Sequence, residues 1–238
     1  MTAQPTVSAA LIAMPLGEIA RTRPGATAVF RRHGLDFCCG GGHSLAEAAT
    51  EKGLAPDTIA AELAALDPGN APTVPREPAR LIDHILARYH EVHRQELPEL
   101  IKLAMRVEVA HRGHPKVPAG IADALRELET ELVSHMLKEE QVLFPLMRAG
   151  GAPMIVHPIA RMRHEHDEHG ERLRRIEVMT DDFTLPEDAC PTWAALYTGL
   201  SKLVNDLMEH VHLENNVLFP QFAADADLPA APVCGMGG

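Results

Sequence analysis

The fold of this chain is decided by one segment, His210-Val211-His212-Leu213-Glu214-Asn215-Asn216-Val217-Leu218-Phe219-Pro220. The apolar residues before it recur in steps of three and four, which is the spacing of the inward face of a helix in a bundle. His210 and Glu214 continue this spacing, so a histidine and a carboxylate lie one helical turn apart among leucines. A carboxylate buried in this way needs a proton, a charged partner or a cation. The segment therefore predicts a metal site.

A second copy of the pattern lies earlier in the chain, at His135-Met136-Leu137-Lys138-Glu139-Glu140-Gln141-Val142-Leu143-Phe144-Pro145. In both copies a glutamate follows the histidine by four residues, and Leu-Phe-Pro follows at the same distance. The apolar spacing extends to Val142 here and to Val217 in the other copy, so we expect both valines to face the core. One such pair is a weak indication of a metal site, whereas two copies on apolar helix faces are a strong one.

The composition is typical of a globular and mainly helical protein. Apolar residues make up 46% and charged residues 23% of the 238 residues, and Leu and Ala dominate over β-branched and aromatic residues. The net charge of −11 argues against nucleic acid or an anionic membrane as a partner. No apolar run approaches the roughly 20 residues of a membrane span. Residues 1–16 lack the basic region of a signal peptide, and we expect no secretion.

Residues 1–70 predict a small helical domain with a double cysteine. Residues 15–30 and 44–66 have helical spacing, and residues 71–77 are expected to form a linker after a segment rich in Pro, Gly and Asn. Between the two helical stretches, Cys38 and Cys39 precede three glycines.

The adjacent thiols indicate either a redox or iron-transfer site or two small buried side chains at a tight turn, and their spacing does not distinguish these. Adjacent cysteines seldom pair with each other, so we expect no disulfide framework and a reducing, cytoplasmic location.

Residues 78–222 predict an up-down four-helix bundle, so the fold class is all-α. Helices are expected at about 78–109, 119–148, 156–179 and 192–221, separated by turns with Gly or Pro. The first and third share the pattern His-acid-x-His, and the second and fourth share His-x3-Glu. Antiparallel packing of these helices brings a histidine or a glutamate from all four to one level. Residues 223–238 are expected to form a disordered tail.

Four histidines and two glutamates at one level are enough for two metal ions that share the glutamates as bridges. Imidazole and carboxylate ligands suit iron, manganese or zinc, and iron is the preferred interpretation. Spacing alone does not separate His93 and His169 from His90 and His166, since all four lie on inward faces. The histidines away from the inward faces are expected to bind no metal; they are His84, His111, His114, His164 and His212.

Over nearly its whole length the chain resembles the hemerythrin-like di-iron iron–sulfur cluster repair proteins, the RIC family. The resemblance is carried by the double cysteine with its glycines, Tyr89-His90, Glu165-His166-Asp167-Glu168 and the two His-x3-Glu motifs. It implies a hemerythrin-like bundle with a non-haem di-iron centre that is bridged by carboxylates and by an oxo or hydroxo group. The metal ligands that the resemblance implies are His90, His135, Glu139, His166, His210 and Glu214. A fifth or sixth ligand from His93 or His169 stays open.

The resemblance also implies a function. It points to a cytoplasmic stress-response protein that restores iron–sulfur clusters damaged by nitric oxide or peroxide, by donating iron. Cys38 and Cys39 are then the candidate catalytic residues, damaged iron–sulfur proteins are the partners, and a homodimer is compatible with it. Two alternatives stay open: a binder or sensor of O2 or NO, and a di-iron enzyme that reduces NO or peroxide.

Overall fold

A computed structural model of the chain describes residues 7–67, 74–151 and 154–222. Within these ranges the regular secondary structure is helical, with one isolated β-bridge between Pro15 and Ser44. The all-α class predicted from the sequence is confirmed. None of the described helices is both long and apolar enough to span a bilayer. The predicted tail at 223–238 and the first three residues of the predicted linker lie outside the described residues.

The amino-terminal part consists of five short helices. They are α1 (Val7–Ala13), α2 (Leu16–Thr22), α3 (Ala26–Arg32), α4 (Leu45–Glu51) and α5 (Pro56–Ala64). Each of the two helical stretches of the sequence is divided by a glycine with positive φ, Gly25 at 87° and Gly53 at 67°. Only glycine adopts this conformation without strain, so each stretch becomes two short helices rather than one long one.

Four long helices follow and pack as a closed bundle. The first comprises α6 (Pro78–Ile85), a π-helical turn (Leu86–His90) and α7 (Glu91–Ala110). The second comprises α8 (Ile121–Lys138), a π-helical turn (Glu139–Leu143) and α9 (Phe144–Arg148), and the third is α10 (Val156–Met179). The fourth comprises α11 (Pro191–His212), a π-helical turn (Leu213–Leu218) and a 3-10 turn (Phe219–Gln221). α7 packs against α8 and α11, and α10 packs against the same two helices.

The π-helical turns correct one prediction from the sequence. Val142 and Val217 were expected to face the core, but Val142 is 52% exposed and Val217 is only half-buried. The next residues, Leu143 and Leu218, are buried instead. A π-helical turn holds more residues than an α-helical turn, so the inward face moves on by one residue. The prediction that Val142 and Val217 face the core is therefore wrong, because it assumed α-helical spacing throughout.

A polar layer crosses the bundle between two apolar clusters. Along the second bundle helix, Leu132 belongs to one cluster and Leu143 to the other, and His135 and Glu139 lie between them. The other three long helices also pass from one cluster to the other at the positions of their histidines. The first cluster continues into the amino-terminal helices through residues such as Phe37, so these helices share a core with the bundle.

Candidate metal centre

The six residues predicted as metal ligands meet in the polar layer. All are at most 1% exposed; they are His90, His135, Glu139, His166, His210 and Glu214. They form two groups whose ligand atoms lie within 4.8 Å of one another, namely His90, Glu139, His210 and Glu214, and His135, Glu139, His166 and Glu214. Both glutamates belong to both groups, and each group has its own pair of histidines.

The histidine pairs have the separation of two ligands on one cation. Nε2 of His90 lies 3.1 Å from Nε2 of His210, and Nε2 of His166 lies 3.1 Å from Nε2 of His135. Two nitrogens bound at about 2.1 Å to one metal ion, with an angle of about 90–110° between them, are about 3.0–3.4 Å apart. Each pair therefore fits one ion.

Glu139 directs one oxygen to each histidine pair. Its Oε2 lies 3.4 Å from Nε2 of His90, and its Oε1 lies 3.3 Å from Nε2 of His135. Neither oxygen has a hydrogen-bond partner among the described residues, although the side chain is fully buried. A carboxylate without hydrogen bonds in an apolar interior is costly, and a cation next to each oxygen would remove that cost.

Glu214 has the matching arrangement. Its Oε1 lies 3.1 Å from Nε2 of His210, and its Oε2 lies 3.1 Å from Nε2 of His166. With Glu139, it gives the layer two carboxylates that each extend from one histidine pair to the other. This donor set, two nitrogens and two shared carboxylates per position, is suited to two transition-metal ions such as iron.

Charges inside the layer are balanced by the neighbouring side chains. Burial favours the neutral form of both carboxyl groups, but the imidazoles outweigh it and lower the pKa of Glu139 and of Glu214. Burial opposes a charge on His135 as well, but the nearby carboxylates raise its pKa to about 10. The carboxylates are thus ready to bind a cation, which would displace the proton held by His135. Burial instead lowers the pKa of His210.

Hydrogen bonds orient three of the four histidines from behind. Nδ1 of His90 lies 2.7 Å from Oε1 of Glu140. Nδ1 of His135 lies 2.9 Å from Oε2 of Glu165, and Nδ1 of His166 lies 2.9 Å from Oδ1 of Asn215. An Nδ1–H that donates to an oxygen leaves the lone pair on Nε2, which faces the centre. The sequence interpretation missed these three partners. The available signal was that each is adjacent in sequence to a predicted ligand.

Two π-helical turns contain the glutamates. Glu139 begins the turn Glu139–Leu143, and Glu214 is the second residue of the turn Leu213–Leu218. The third such turn ends at His90. Single π-helical turns occur frequently at functional sites, because they re-aim side chains within a long helix. Here they accompany both carboxylates and one histidine of the centre.

His93 and His169 are buried beside the centre but belong to neither group. The ring centroids of His93 and His210 are 5.5 Å apart, and those of His169 and His135 are 4.8 Å apart. Both nitrogens of His93 and Nδ1 of His169 lack a hydrogen-bond partner within the described ranges. Burial and the neighbouring imidazoles lower the pKa of both rings, in His169 to about 2. Both are therefore neutral and pack against the ligand rings.

The histidines expected to bind no metal lie outside both groups. His111 and His114 pack against Trp193, with ring centroids 4.8 Å and 5.3 Å from the indole. His212 is buried, and its Nδ1 accepts a hydrogen bond from Asn216 at 3.0 Å.

Cys38 and Cys39 lie beside the centre, not in it. The Cys39 thiol donates to the backbone oxygen of His166 at 3.5 Å. Nδ2 of Asn215 donates to the backbone oxygen of Cys38 at 3.1 Å, so Asn215 connects the cysteine segment with the His166 ring. Both thiols are free. Because 127 residues separate Cys39 from His166, this proximity could not be seen in the sequence.

Comparison with known proteins identifies two families along the chain. Residues 81–222 match the hemerythrin HHE cation binding domain, and residues 12–67 match a domain of unknown function, ScdA_N. Relatives with 48% identity occur in Escherichia coli O1:K1 / APEC, Escherichia fergusonii and Escherichia coli O81, and each is named iron-sulfur cluster repair protein YtfE. Each alignment covers 88% of this chain and 96% of the relative.

Proposed function

Because this chain belongs to the family of hemerythrin HHE cation-binding proteins, we propose that it is a di-iron protein that repairs damaged iron–sulfur clusters. The observation that carries the proposal is the buried layer in which two histidine pairs share two carboxylates. The relatives named for cluster repair extend over both parts of the chain, and this supports repair rather than metal storage alone.

We assign one iron position to His90 and His210 and the other to His135 and His166, with Glu139 and Glu214 as bridges. The assignment is supported by the histidine separations and by the carboxylate oxygens that point to both pairs. When bound, the iron ions supply an exchangeable and redox-active metal. Glu140, Glu165 and Asn215 hold the imidazoles in the orientation that offers Nε2.

The side chains of the layer also support reversible binding. The carboxylates of Glu139 and Glu214 lie within ion-pair distance of imidazoles that can take up protons. When a cation leaves, protons from water can move onto the imidazoles, and the buried carboxylates are then paired with imidazolium. A site with this internal compensation can give up its metal without leaving unpaired buried charge. This property is what iron donation requires.

The remaining assignments follow from the same proposal. Residues 1–70 form the double-cysteine domain, 71–77 the linker and 78–222 the iron-binding bundle. Cys38 and Cys39 serve metal transfer or redox control beside the centre. The three cysteines in the described part of the chain are free, which fits a reducing cytoplasm. The partners are proteins with damaged iron–sulfur clusters.

The proposal is tested with a purified iron–sulfur dehydratase whose cluster has been damaged by nitric oxide or peroxide. The iron-loaded protein is added in the presence of a chelator that binds all free iron, and recovery of dehydratase activity is measured. We expect recovery together with loss of iron from the protein, and no recovery with the apoprotein or with the Glu139→Gln/Glu214→Gln variant.

If activity does not recover and the protein keeps its iron, donation is refuted. Reversible spectral changes with O2 or NO, with no loss of iron, would then favour the binder or sensor alternative.

A further inference from the structure

Asp36, Cys38 and Cys39 place three possible ligand atoms within 4.8 Å of one another, outside the bundle centre. We propose that these three side chains form a second metal site, which binds one divalent transition-metal ion such as Zn²⁺ or Fe²⁺. The site rests on the role in metal transfer proposed above for Cys38 and Cys39, and it adds Asp36 and a bound ion to that role.

Two of the distances among the three side chains match tetrahedral coordination, and the third is within 4.8 Å. The two Sγ atoms are 3.8 Å apart, and Sγ of Cys38 lies 3.3 Å from Oδ1 of Asp36. Two thiolates bound at about 2.3 Å to one tetrahedral ion are about 3.8 Å apart, and a thiolate and a carboxylate oxygen are about 3.5 Å apart. One ion therefore fits with small movements of the side chains. The fourth position is left for water or another donor.

Hydrogen bonds between side chains and the backbone fix the conformation of this segment without a bound ion. Oδ1 of Asp36 accepts hydrogen bonds from the N–H of Cys38 at 3.2 Å and of Cys39 at 2.9 Å. Nδ2 of Asn216 donates to the backbone oxygen of Phe37 at 3.1 Å. A Cβ atom at Gly41 would lie only 2.8 Å from the backbone oxygen of Phe37, so the close packing of this segment requires a glycine there. Such preorganisation reduces the cost of ordering the ligands.

Charge and proton balance also favour a divalent ion. Binding replaces the two thiol protons, which pass to solvent, by two metal–sulfur bonds, and the Asp36 carboxylate adds a third negative charge. The complex has a net charge of −1. Nη1 of Arg174 lies 3.8 Å from Oδ2 of Asp36 and offsets this charge.

The remaining described cysteine provides a control. Cys190 precedes α11, and His210 lies 20 residues later on this helix, about 30 Å along its axis. Its thiol is paired with Nε2 of His111 at 3.1 Å. A thiolate-bound metal signal that depends on Cys39 and is independent of Cys190 would therefore report on the proposed site alone.

The experiment is ¹¹³Cd NMR of the full-length apoprotein with reduced thiols and Cd²⁺ in slight excess. Cadmium bound by nitrogen and oxygen resonates well upfield of cadmium bound by two thiolates, so the bundle centre and the second site give separate signals. We expect one signal in the thiolate region. In Cys39→Ser it should disappear and Cd²⁺ affinity at this site should fall at least tenfold, while the nitrogen and oxygen signals persist.

Asp36→Asn removes a metal ligand without unfolding the segment, because the amide oxygen can still accept the two backbone hydrogen bonds. It therefore separates a loss of metal binding from a loss of structure. We expect it to shift or broaden the thiolate signal while thermal unfolding is unchanged. The proposal is overturned if the wild type lacks a thiolate signal, if the signal persists in Cys39→Ser, or if it is lost in Cys190→Ser or Cys234→Ser. Failure of the bundle centre would instead appear as loss of the nitrogen and oxygen signals.

Discussion

Asn215→Leu tests whether the residue behind a proposed ligand controls metal binding. Oδ1 of Asn215 accepts from Nδ1 of His166 at 2.9 Å, and Nδ2 donates to Cys38 at 3.1 Å. Leucine has a similar volume but cannot make either hydrogen bond. The His166 ring then loses the partner that fixes its tautomer and its orientation toward the centre.

The expected magnitude follows from these two hydrogen bonds. Removing the partner of a metal-bound histidine typically weakens metal binding 10–100-fold, which is about 1.4–2.7 kcal/mol. The N–H of His166 is also left buried without an acceptor, which costs about 1–3 kcal/mol of folding free energy. For a chain of this size that cost lowers Tm by about 2–12 °C.

The assay is anaerobic competition for Fe²⁺ between the protein and a chromophoric chelator, with thermal unfolding recorded in parallel. Asn215→Asp keeps an acceptor for His166 and should retain more affinity than Asn215→Leu. Asn205→Leu is the matched control, because it makes the same change ten residues earlier on the same helix. Unchanged Fe²⁺ affinity in Asn215→Leu, or an equal loss in Asn205→Leu, would refute this reasoning.

Three further predictions concern the helix register at Leu143, the thiol of Cys190 and the bridging carboxylate of Glu139. Leu143→Ala should lower the free energy of unfolding in urea by about 2–5 kcal/mol, whereas the exposed Val142→Ala should change it by less than about 0.5 kcal/mol; equal effects would contradict the π-helical turn. The hydrogen bond from His111, with the backbone N–H groups at the start of α11, lowers the pKa of Cys190 to about 7. Its alkylation, followed by peptide mass spectrometry, should therefore reach half its maximal rate near that pH, and His111→Ala should move the midpoint upward toward 9; an unmoved midpoint argues against the pair. Glu139→Gln leaves a single side-chain oxygen and no negative charge to serve the two positions, so elemental analysis should find at least one of the two proposed iron ions missing, and full occupancy would exclude the bridging role.

The main helices and the level of the polar layer could be predicted because they depend on local periodicity. His135 and Glu139 lie on the same face through the ordinary geometry of a helical turn, and His210 and Glu214 repeat it. The spacing within the two helix pairs is also nearly the same, 45 residues from His90 to His135 and 44 from His166 to His210, which predicts that the four helices bring these residues to one level. Short-range geometry was sufficient for the two His-x3-Glu pairs, whereas His90 and His166 were preferred to His93 and His169 only through the family resemblance. The structure brings all six side chains together.

Other features depend on distances that a sequence does not contain. The π-helical turns shift Leu143 inward by one residue, and no residue type at these positions marks the change. His90 and His93 lie on the same helix face, so only the packing of the other helices decides which of them enters the centre. The contact between Cys39 and His166 requires the docking of the amino-terminal helices, which hydrophobic periodicity does not describe.

The polar layer separates the two apolar clusters, so the two ends of the bundle are in contact mainly through the side chains that would hold iron. A bound cation stabilises the native state in proportion to its availability, and here that stabilisation would join one end of the molecule to the other. When iron is scarce, the ends would open more independently and present cleavable backbone to proteases. The abundance of this protein in a cell would then follow the iron supply through its rate of degradation.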